Sequence, residues 1–403
     1  MRTSPELLFV TLAALGPAAP SGATQAAQDL DAALARGVEI LLELQEDLGG
    51  AGPAREWPYE GVYRVEGEIP WGYRVGGTAI CAGALMETAQ FEREADVRAA
   101  VERGLGFVMQ ALDHELMAPA FEGSYDVRGW GHAYALGLLL RMRARGLVPE
   151  YRRFKVDQEI AWLVWTLQAT EIAEGGGWNY SRRRGDASSP ASHFMTAPTL
   201  LALYEAARQG EEVDPAVVER ALDVLEESRS ENGFFPYSTA GGRDSVAGSI
   251  GRTPVTEVAL YLAGRSDTES LRRSLDGFFE HWSELEERRK QTGTHAGEHG
   301  IAPYYFYYAH RYAALAIDLL PEAQRAAYRA QLLARLFEVR EESGGWNDRV
   351  FPRSESYGTA MTLLALLEPG LPDPPRWAGG ARGPGKLRSK EAGGARETGD
   401  DRE

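Results

Sequence analysis

Histidine side chains occupy equivalent places in a repeated pattern of this chain. His132 and His310 align with Thr196, and His193 precedes Thr196 by one helical turn. Each histidine stands at or just before the start of a segment rich in small apolar residues. If those segments are parallel helices, their N-terminal ends meet at one mouth, and residues one turn apart share a face. We expect the imidazoles to converge there; the alternative is that each is a hydrogen-bonded core residue.

The loops before these segments bring further polar and aromatic side chains to the same mouth. A Gly-Gly-Trp corner occurs in "GGWNY" at 176–180 and in "GGWND" at 344–348, and "PYYFYY" occupies 303–308. Unpaired N–H groups and positive dipole ends at helix starts suit an anionic or polyhydroxylated ligand. Aromatic rings stack on isoprenoids and on sugars, so they leave both classes open. The candidate ligand-binding residues are His132, Trp178, Asn179, Tyr180, His193, Tyr304, Tyr305, His310, Asn347 and Asp348.

The segment "HAGEH" at 295–299 formally matches the His-x-x-Glu-His pattern of some zinc proteases. That pattern requires a helix, whereas the glycines in and around this segment favour a loop. A loop metal site using His295, Glu298 or His299 stays open, because imidazoles and carboxylates are common zinc ligands. The alternative is a surface loop with two solvated histidines. The sequence predicts no cofactor elsewhere.

The elements that must position these residues repeat along the chain. Residues 196–203 nearly recur at 359–366, each after a Gly-Gly-Trp corner and an apolar helical run. Such self-similarity indicates helix–corner–helix units. Small residues suit a crowded inner ring and charged amphipathic segments suit an outer layer, so the sequence predicts an all-α fold, an (α/α)6 toroid of six helical hairpins. The predicted inner helices span 78–90, 132–144, 196–207, 256–263, 310–320 and 359–367.

The repeat resembles that of the squalene cyclases and protein prenyltransferase β-subunits, which are α/α toroids of the terpenoid cyclase superfamily. Their motif has a basic residue and Gly, an aromatic or aliphatic residue, Gln, and then Gly-x-Trp. The matching residues are Arg36-Gly37…Leu41…Gln45, more loosely Arg103-Gly104…Phe107…Gln110, then Val164…Gln168 with Gly176-Gly177-Trp178, and Gly344-Gly345-Trp346. The resemblance covers residues 34–368 and implies a toroid with a central ligand cavity.

The reactions of that superfamily need residues that this sequence lacks. The Asp-x-Asp-Asp acid of the class II cyclases does not occur. The prenyltransferase zinc site has Asp two residues before Cys, but Ala79 holds that place before the single cysteine, Cys81. The Gly-Cys-Gly-Glu-Gln thioester of the related complement-type toroids is also absent. Prenyl transfer and the usual cyclisation are therefore disfavoured, whatever the fold.

The charge of the chain excludes some classes of partner. Its 403 residues carry a formal net charge of −16, whereas nucleic acids and anionic membrane surfaces require a basic face. No stretch of sequence is long and apolar enough to predict a membrane span. We expect a small-molecule partner, either an isoprenoid or a carbohydrate, and no nucleic acid.

The termini differ in composition from the repeats. Arg2, the apolar run 7–15 and the small residues 21–23 are typical of a signal peptide, which predicts export to the periplasm or the exterior. The C-terminal stretch is rich in Pro, Gly and charge, which is typical of disorder. The predicted divisions are a signal peptide at 1–23, a short linker at 24–33, the toroid domain at 34–369 and a disordered tail at 370–403.

Three functions remain open at this point. The first is an exported protein of the squalene-cyclase and prenyltransferase repeat type that binds a ligand in the central cavity. The second is a polysaccharide lyase or glycoside hydrolase, since helical toroids also serve carbohydrate chemistry. The third is a non-enzymatic interaction scaffold. The lining of the cavity discriminates among them: a deep aromatic tunnel favours isoprenoids, a cleft with acid–base groups favours sugars, and a filled centre favours the scaffold.

Overall fold

The fold is a ring of helices in two layers. A computed structural model describes residues 22–47, 53–120, 127–180, 190–240 and 245–379. Within these ranges there are twelve helices of ten or more residues and only isolated β-bridges. The outer helices are α1 (Gly22–Glu43), α3 (Ala95–Ala111), α5 (Arg153–Ala169), α7 (Pro215–Glu227), α9 (Thr268–Glu280) and α11 (Glu322–Glu338). The inner helices are α2 (Trp71–Met86), α4 (Arg128–Ala144), α6 (His193–Arg208), α8 (Thr253–Leu262), α10 (Tyr305–Leu319) and α12 (Ser354–Leu367).

The inner helices close a ring by contacting one another in chain order. α2 contacts α4, α4 contacts α6, and the sequence of contacts continues through α8, α10 and α12 back to α2. Each outer helix packs against one or two inner helices. The all-α toroid of six hairpins is confirmed. Since an outer helix running back separates each inner helix from the next, all inner helices start at the same edge of the ring, which we call the mouth.

Small residues allow the inner helices to approach closely. A Cβ atom built on Gly76 of α2 would lie 2.3 Å from the indole of Trp130 on α4, and one on Gly72 would lie 2.4 Å from the backbone of Val127. Nearly every residue of α2 is buried, so this helix is apolar all round, as a fully enclosed helix must be. Any larger side chain at these glycines would force α2 and α4 apart.

A tryptophan at the corner of a hairpin ties the outer helix to its inner partner. The backbone N–H of Trp178 donates to Thr196 Oγ1 at 2.9 Å, and its indole N–H donates to the Leu167 carbonyl at 2.7 Å. Thr196 lies in the first turn of α6, whereas Leu167 lies in the last turn of α5. The same two bonds are made by Trp57 with Thr78 and Leu41, and by Trp346 with Thr359 and Leu336.

Two of the three motif glutamines connect neighbouring outer helices, whereas Gln110 is exposed at the end of α3. Gln168, at the end of α5, donates to the Glu212 carbonyl at 3.2 Å and accepts from the Asp214 N–H at 2.6 Å, just before α7. Gln45, after α1, donates to the Ala100 carbonyl of α3 at 2.8 Å. Consecutive repeats are thereby held in register around the ring.

The structure corrects several predicted boundaries. Inner helices begin three to seven residues before the predicted starts, and α2 ends at Met86 rather than at residue 90. The predicted linker at 24–33 is part of α1. Trp377, in the predicted disordered tail, packs against Tyr204 and donates its indole N–H to Glu219 at 3.0 Å. The remainder of the tail, from residue 380, and residues 1–21 of the predicted signal peptide lie outside the described ranges.

No helix in the described part of the chain combines the length and the apolarity that crossing a bilayer requires.

The corner bonds predict a large loss of stability when an indole is removed. Trp178 is 2% exposed, so Trp178→Ala should lower the free energy of unfolding by about 3–5 kcal/mol. Trp178→Phe keeps most of the buried ring and should cost less. Phe154→Ala is a matched control, because Phe154 is 74% exposed on an outer helix and its loss should change stability by at most about 0.5 kcal/mol. Chemical denaturation measures all three; an unchanged midpoint for Trp178→Ala would contradict the structural role.

Candidate functional site

The three histidines do not meet at the mouth, and that prediction is wrong. Each imidazole is buried and hydrogen-bonded to the layer outside the inner ring. The bonds join His132 Nε2 to the Met117 carbonyl at 2.9 Å, His193 Nε2 to Ser228 Oγ at 2.7 Å, and the Trp282 indole N–H to His310 Nε2 at 2.8 Å. Their partners belong to three different segments around the ring, so the alternative of separate core histidines is confirmed.

The register of the repeat explains this outcome. His132 and His310 stand where Thr78, Thr196 and Thr359 stand in other repeats, and those threonines face outward to bind the corner tryptophans. A side chain at this place therefore looks toward the outer layer and not toward the axis. Burial lowers the pKa of His132 and His310 to about 4 and of His193 to about 3, so all three imidazoles are neutral at pH 7.

The two corner asparagines fix their own loops. Asn179 donates to the Pro190 carbonyl at 2.7 Å and accepts from the Tyr180 N–H at 2.8 Å. Asn347 donates to the Phe351 carbonyl at 3.0 Å and accepts from the Arg349 N–H at 2.9 Å. These bonds shape the corners and hold each amide in place. Trp178 is likewise occupied by its corner bonds.

The predicted tyrosines do come together at the mouth. The hydroxyl of Tyr180 lies 3.0 Å from that of Tyr304 and 3.4 Å from that of Tyr237. Tyr304 in turn lies 3.1 Å from His295 Nε2, which places part of the "HAGEH" loop in the same group. Tyr305 packs behind Tyr304, with ring centroids 4.6 Å apart. A hydrogen-bonded row of aromatic side chains thus covers one side of the mouth.

Asp348 lies on the other side of the mouth in an environment that favours its protonated form. Burial is the main cause that raises its pKa to about 7, and the nearby guanidinium of Arg349 opposes that shift. Its Oδ2 is 3.5 Å from the Tyr59 hydroxyl, and Oδ1 has no hydrogen-bond partner among the described residues. Arg349 is 2% exposed, and its Nε and Nη1 likewise have no partner within the described ranges. A carboxyl group and a guanidinium are therefore buried side by side with unused hydrogen-bonding capacity.

Sequence reasoning missed Tyr59, Tyr73 and Arg349. Tyr59 and Tyr73 flank the first corner, and their rings meet edge to face with centroids 5.3 Å apart. The only sequence signal for them was the aromatic-rich corner with Trp57 and Trp71, which contains no Gly-Gly-Trp. Arg349 directly follows the predicted Asn347 and Asp348, so extending that corner by one residue would have included it.

A shallow depression joins the two sides of the mouth. The space among its lining residues is about 180 Å³ with open solvent included, and those residues are Tyr59, Gly61, Val62, Tyr63, Tyr73, Thr294, Tyr304 and Arg349. Even with the solvent space counted, this is below the roughly 300–1,000 Å³ of typical small-molecule pockets. A ligand would therefore lie across the depression, with only a part of it enclosed.

Aromatic side chains fill the centre of the ring at the level below the mouth. The hydroxyls of Tyr134 on α4 and Tyr312 on α10, which are opposite helices, are 3.0 Å apart. Tyr308 of α10 reaches across to the Phe194 carbonyl of α6 at 3.0 Å. No deep tunnel is found among the described residues, which removes the feature expected for an isoprenoid-binding cavity.

The weak metal candidates are occupied by protein contacts. The loop around 295–299 is not helical, as expected. His295 uses Nδ1 for the Gly300 carbonyl at 3.0 Å, and His299 uses Nδ1 for Ser245 Oγ at 3.2 Å. The described residues contain no group of three or more His, Cys, Asp or Glu side chains placed to hold a metal ion.

Comparison with known proteins identifies relatives by fold only. No protein-family model matches this sequence, and no curated protein sequence does. Among solved structures, the GH76A alpha-1,6-mannanase from Salegentibacter sp. HEL1_6 is similar over 84% of this chain and 100% of its own, with a TM-score of 0.50 and 14% identity. An inactive variant of that mannanase in complex with alpha-1,6-mannotriose has a TM-score of 0.52 and 15% identity, again over 84% of this chain and 100% of its own.

An alpha-amylase from Clostridium perfringens is similar over 82% of this chain and 97% of its own, with a TM-score of 0.50 and 10% identity. At such identities the likeness shows the α/α toroid and nothing about activity. The sequence resemblance to squalene cyclases and prenyltransferase β-subunits is thus supported at the level of the toroid fold, and membership of that superfamily is not.

The buried carboxyl group predicts a specific pH dependence of stability. The pKa of Asp348 is about 7 in the native state and near its ordinary 3.8 in the unfolded chain, so the native state holds the proton more tightly. Stability contributed by this group is present at low pH and is lost as pH rises from about 4 to 7. Thermal melts of the parent and of Asp348→Asn across that window should show the parent losing stability relative to the variant. A constant difference in melting temperature would contradict the raised pKa.

Proposed function

We propose that this protein acts on carbohydrate and binds a glycan across its tyrosine-lined mouth. The observation that carries the proposal is a set of buried polar atoms that have no hydrogen-bond partner among the described residues: Asp348 Oδ1, the Nε and Nη1 of Arg349, and the hydroxyl of Tyr307. Each such atom costs about 1–3 kcal/mol when it stays unsatisfied, and native proteins rarely keep such groups together without a role. Arg349 also lines the depression, where a ligand hydroxyl would be its partner.

The chemistry of the lining suits a sugar better than an isoprenoid. A hydroxyl group can donate to a carboxyl oxygen and accept from a guanidinium, which meets the needs of both Asp348 and Arg349. The rings of Tyr59, Tyr73 and Tyr304 offer apolar faces for sugar carbons and hydroxyls for sugar oxygens. An isoprenoid would leave all of these polar atoms unpaired. The mannotriose complex of the mannanase with the same fold is consistent with a carbohydrate ligand in such a toroid.

Glycoside hydrolysis is the reaction for which Asp348 is suited. A carboxyl group with a pKa of about 7 is partly protonated at neutral pH and can protonate a glycosidic oxygen. Hydrolysis also needs a second carboxylate, as base or nucleophile. None of the described residues that line the depression is an Asp or a Glu, and Asp348 itself is fully buried beside the lining residue Arg349. We therefore propose glycan binding first, and hydrolysis is tested by a separate measurement.

A non-enzymatic scaffold is the second candidate, and the filled centre of the ring favours it. In that case the mouth binds no glycan, and the unpartnered atoms serve only the local structure. Export by the N-terminal signal peptide remains a prediction and would place either function outside the cytoplasm.

Binding to oligosaccharides tests the proposal. Isothermal titration with α-1,6-mannotriose and maltotriose, followed by a wider glycan panel, should reveal a ligand. Tyr304→Ala removes a ring that borders the depression and should weaken binding about tenfold or more, equivalent to about 1.4 kcal/mol. Tyr304→Phe keeps the ring and should bind more tightly than the alanine variant. Phe154→Ala, which removes an exposed ring far from the corners of the mouth, should bind as the parent does.

Hydrolysis is read from the release of reducing ends by the parent and by Asp348→Asn. If Asp348 is the acid, the asparagine variant should bind the glycan and release at least a hundredfold less product. Binding without release in the parent would assign the mouth to glycan recognition alone. The absence of binding to any glycan would reject the proposal and favour the scaffold.

A further inference from the structure

We propose that the end of the inner barrel opposite the mouth holds a second binding site, in which Arg141 binds an oxyanion such as a carboxylate or a phosphate. This site lies beyond the tyrosines that fill the centre and shares no residue with the depression at the mouth. It is therefore independent of the proposed function, and either can fail alone.

Three residues of α4 show that solvent reaches into this end of the ring. Tyr134, Gly137 and Arg141 are three and four residues apart and share one face of the helix. That face looks toward the axis, because Tyr134 meets Tyr312 of the opposite helix. All three residues are partly exposed although they belong to the inner layer. The Tyr134–Tyr312 pair forms the floor, and the walls rise from it toward the C-terminal ends of the inner helices.

Gly137 leaves open space in the wall. A Cβ atom built there meets no atom within 4 Å, whereas most glycines of the inner helices are in tight contact with a neighbour. The space lies one turn from Arg141, so a group that enters the well passes beside the glycine and reaches the guanidinium. We call this region the C-terminal well.

Arg141 makes one long ion pair among the described residues. Its partner is Glu87 Oε1 at 3.9 Å, and Glu87 is engaged more closely by Arg145 at 3.1 Å. The Arg141 guanidinium donates no hydrogen bond to any residue in the described part of the chain. The neighbouring cation Arg311 already has an anionic partner, Glu368. An anion that enters the well is therefore expected to bind Arg141 in preference to Arg311. The well thus presents one guanidinium without a close anionic partner.

Arg141 is surrounded by protein but is also reached by water. Burial is the main cause that lowers the pKa of its guanidinium, and the charge of Arg311 lowers that pKa further, while Glu87 and Glu368 raise it. Even so, 35% of the side chain is accessible to water. A cation that is surrounded by protein yet reachable from solvent gains most from an anion that enters the well, since water screens such a pair only in part. A guanidinium also matches the planar or tetrahedral oxygens of a carboxylate or phosphate.

Titration calorimetry of the full chain at low ionic strength tests this site with inorganic phosphate and with glucuronate, and glucose serves as the neutral control. We expect saturable binding of phosphate, glucuronate or both, and none of glucose. Binding of phosphate alone would identify a free inorganic anion as the ligand, and binding of glucuronate alone would identify the acid group of an organic molecule. Arg141→Gln should lower the affinity for the anion that binds at least tenfold. The proposal is overturned if neither anion binds, or if Arg141→Gln binds as the parent does.

Two further variants distinguish loss of this site from a general change in charge and from misfolding. Arg143→Gln removes the same charge from the same helix, but Arg143 is held by Asp157 and Glu211 outside the well, so this variant should keep most of the binding. Gly137→Leu fills the open space without changing any charge, and it should abolish binding while its thermal melt stays cooperative. Equal losses in Arg141→Gln and Arg143→Gln would show a diffuse charge effect and would reject the site.

Discussion

The corner clamp between tryptophan and threonine is the constraint on which the rest of the structure depends. One backbone N–H and one indole N–H fix the end of an outer helix to the first turns of its inner partner, and three of the six hairpins use the same pair of bonds. Where histidine replaces the threonine, the imidazole also binds outward, and His310 accepts from the indole of Trp282. The polar residue at this place therefore binds outward in five of the six repeats, whereas Thr256 of the fourth repeat donates to the Arg252 carbonyl one turn earlier, at the start of its own helix. The axis of the ring is left to residues at other positions.

With those residues committed outward, tyrosines occupy the axis. Their rings fill the centre, and their hydroxyls bond across the ring, as between Tyr134 and Tyr312. These central tyrosines separate the two ends of the inner barrel, which differ in their lining. The mouth is aromatic and buries Asp348 beside Arg349, whereas the C-terminal well is more open and presents Arg141. Burial raises the pKa of the Asp348 carboxyl and lowers the pKa of the Arg141 guanidinium. Both shifts have the same cause, because burial removes the charged form of each group from water.

The fold does not choose among chemistries. Solved toroids that share it with this chain include a mannanase and an amylase, at identities of 14% and 10%. Carbohydrate is favoured here by local features of this chain, namely aromatic faces next to unpartnered polar atoms. The same features weigh against an isoprenoid, which offers no hydrogen bonds to a buried carboxyl and guanidinium. Both proposed sites therefore rest on a few side chains at the two ends of the ring.

The sequence by itself determined the repeat, the six hairpins, the buried corner tryptophans and the loop character of residues 295–299. Each follows from local spacing, because small-residue runs, Gly-Gly-Trp corners and helix-breaking glycines act over a few residues. Which face of an inner helix looks toward the axis was decided only by tertiary structure. Inner helices are apolar nearly all round, so hydrophobic periodicity does not mark an inward face, and His132 could be assigned to the wrong side. Likewise, Tyr59 and Asp348 are 289 residues apart and meet only because the ring closes, which brings the first and last repeats together.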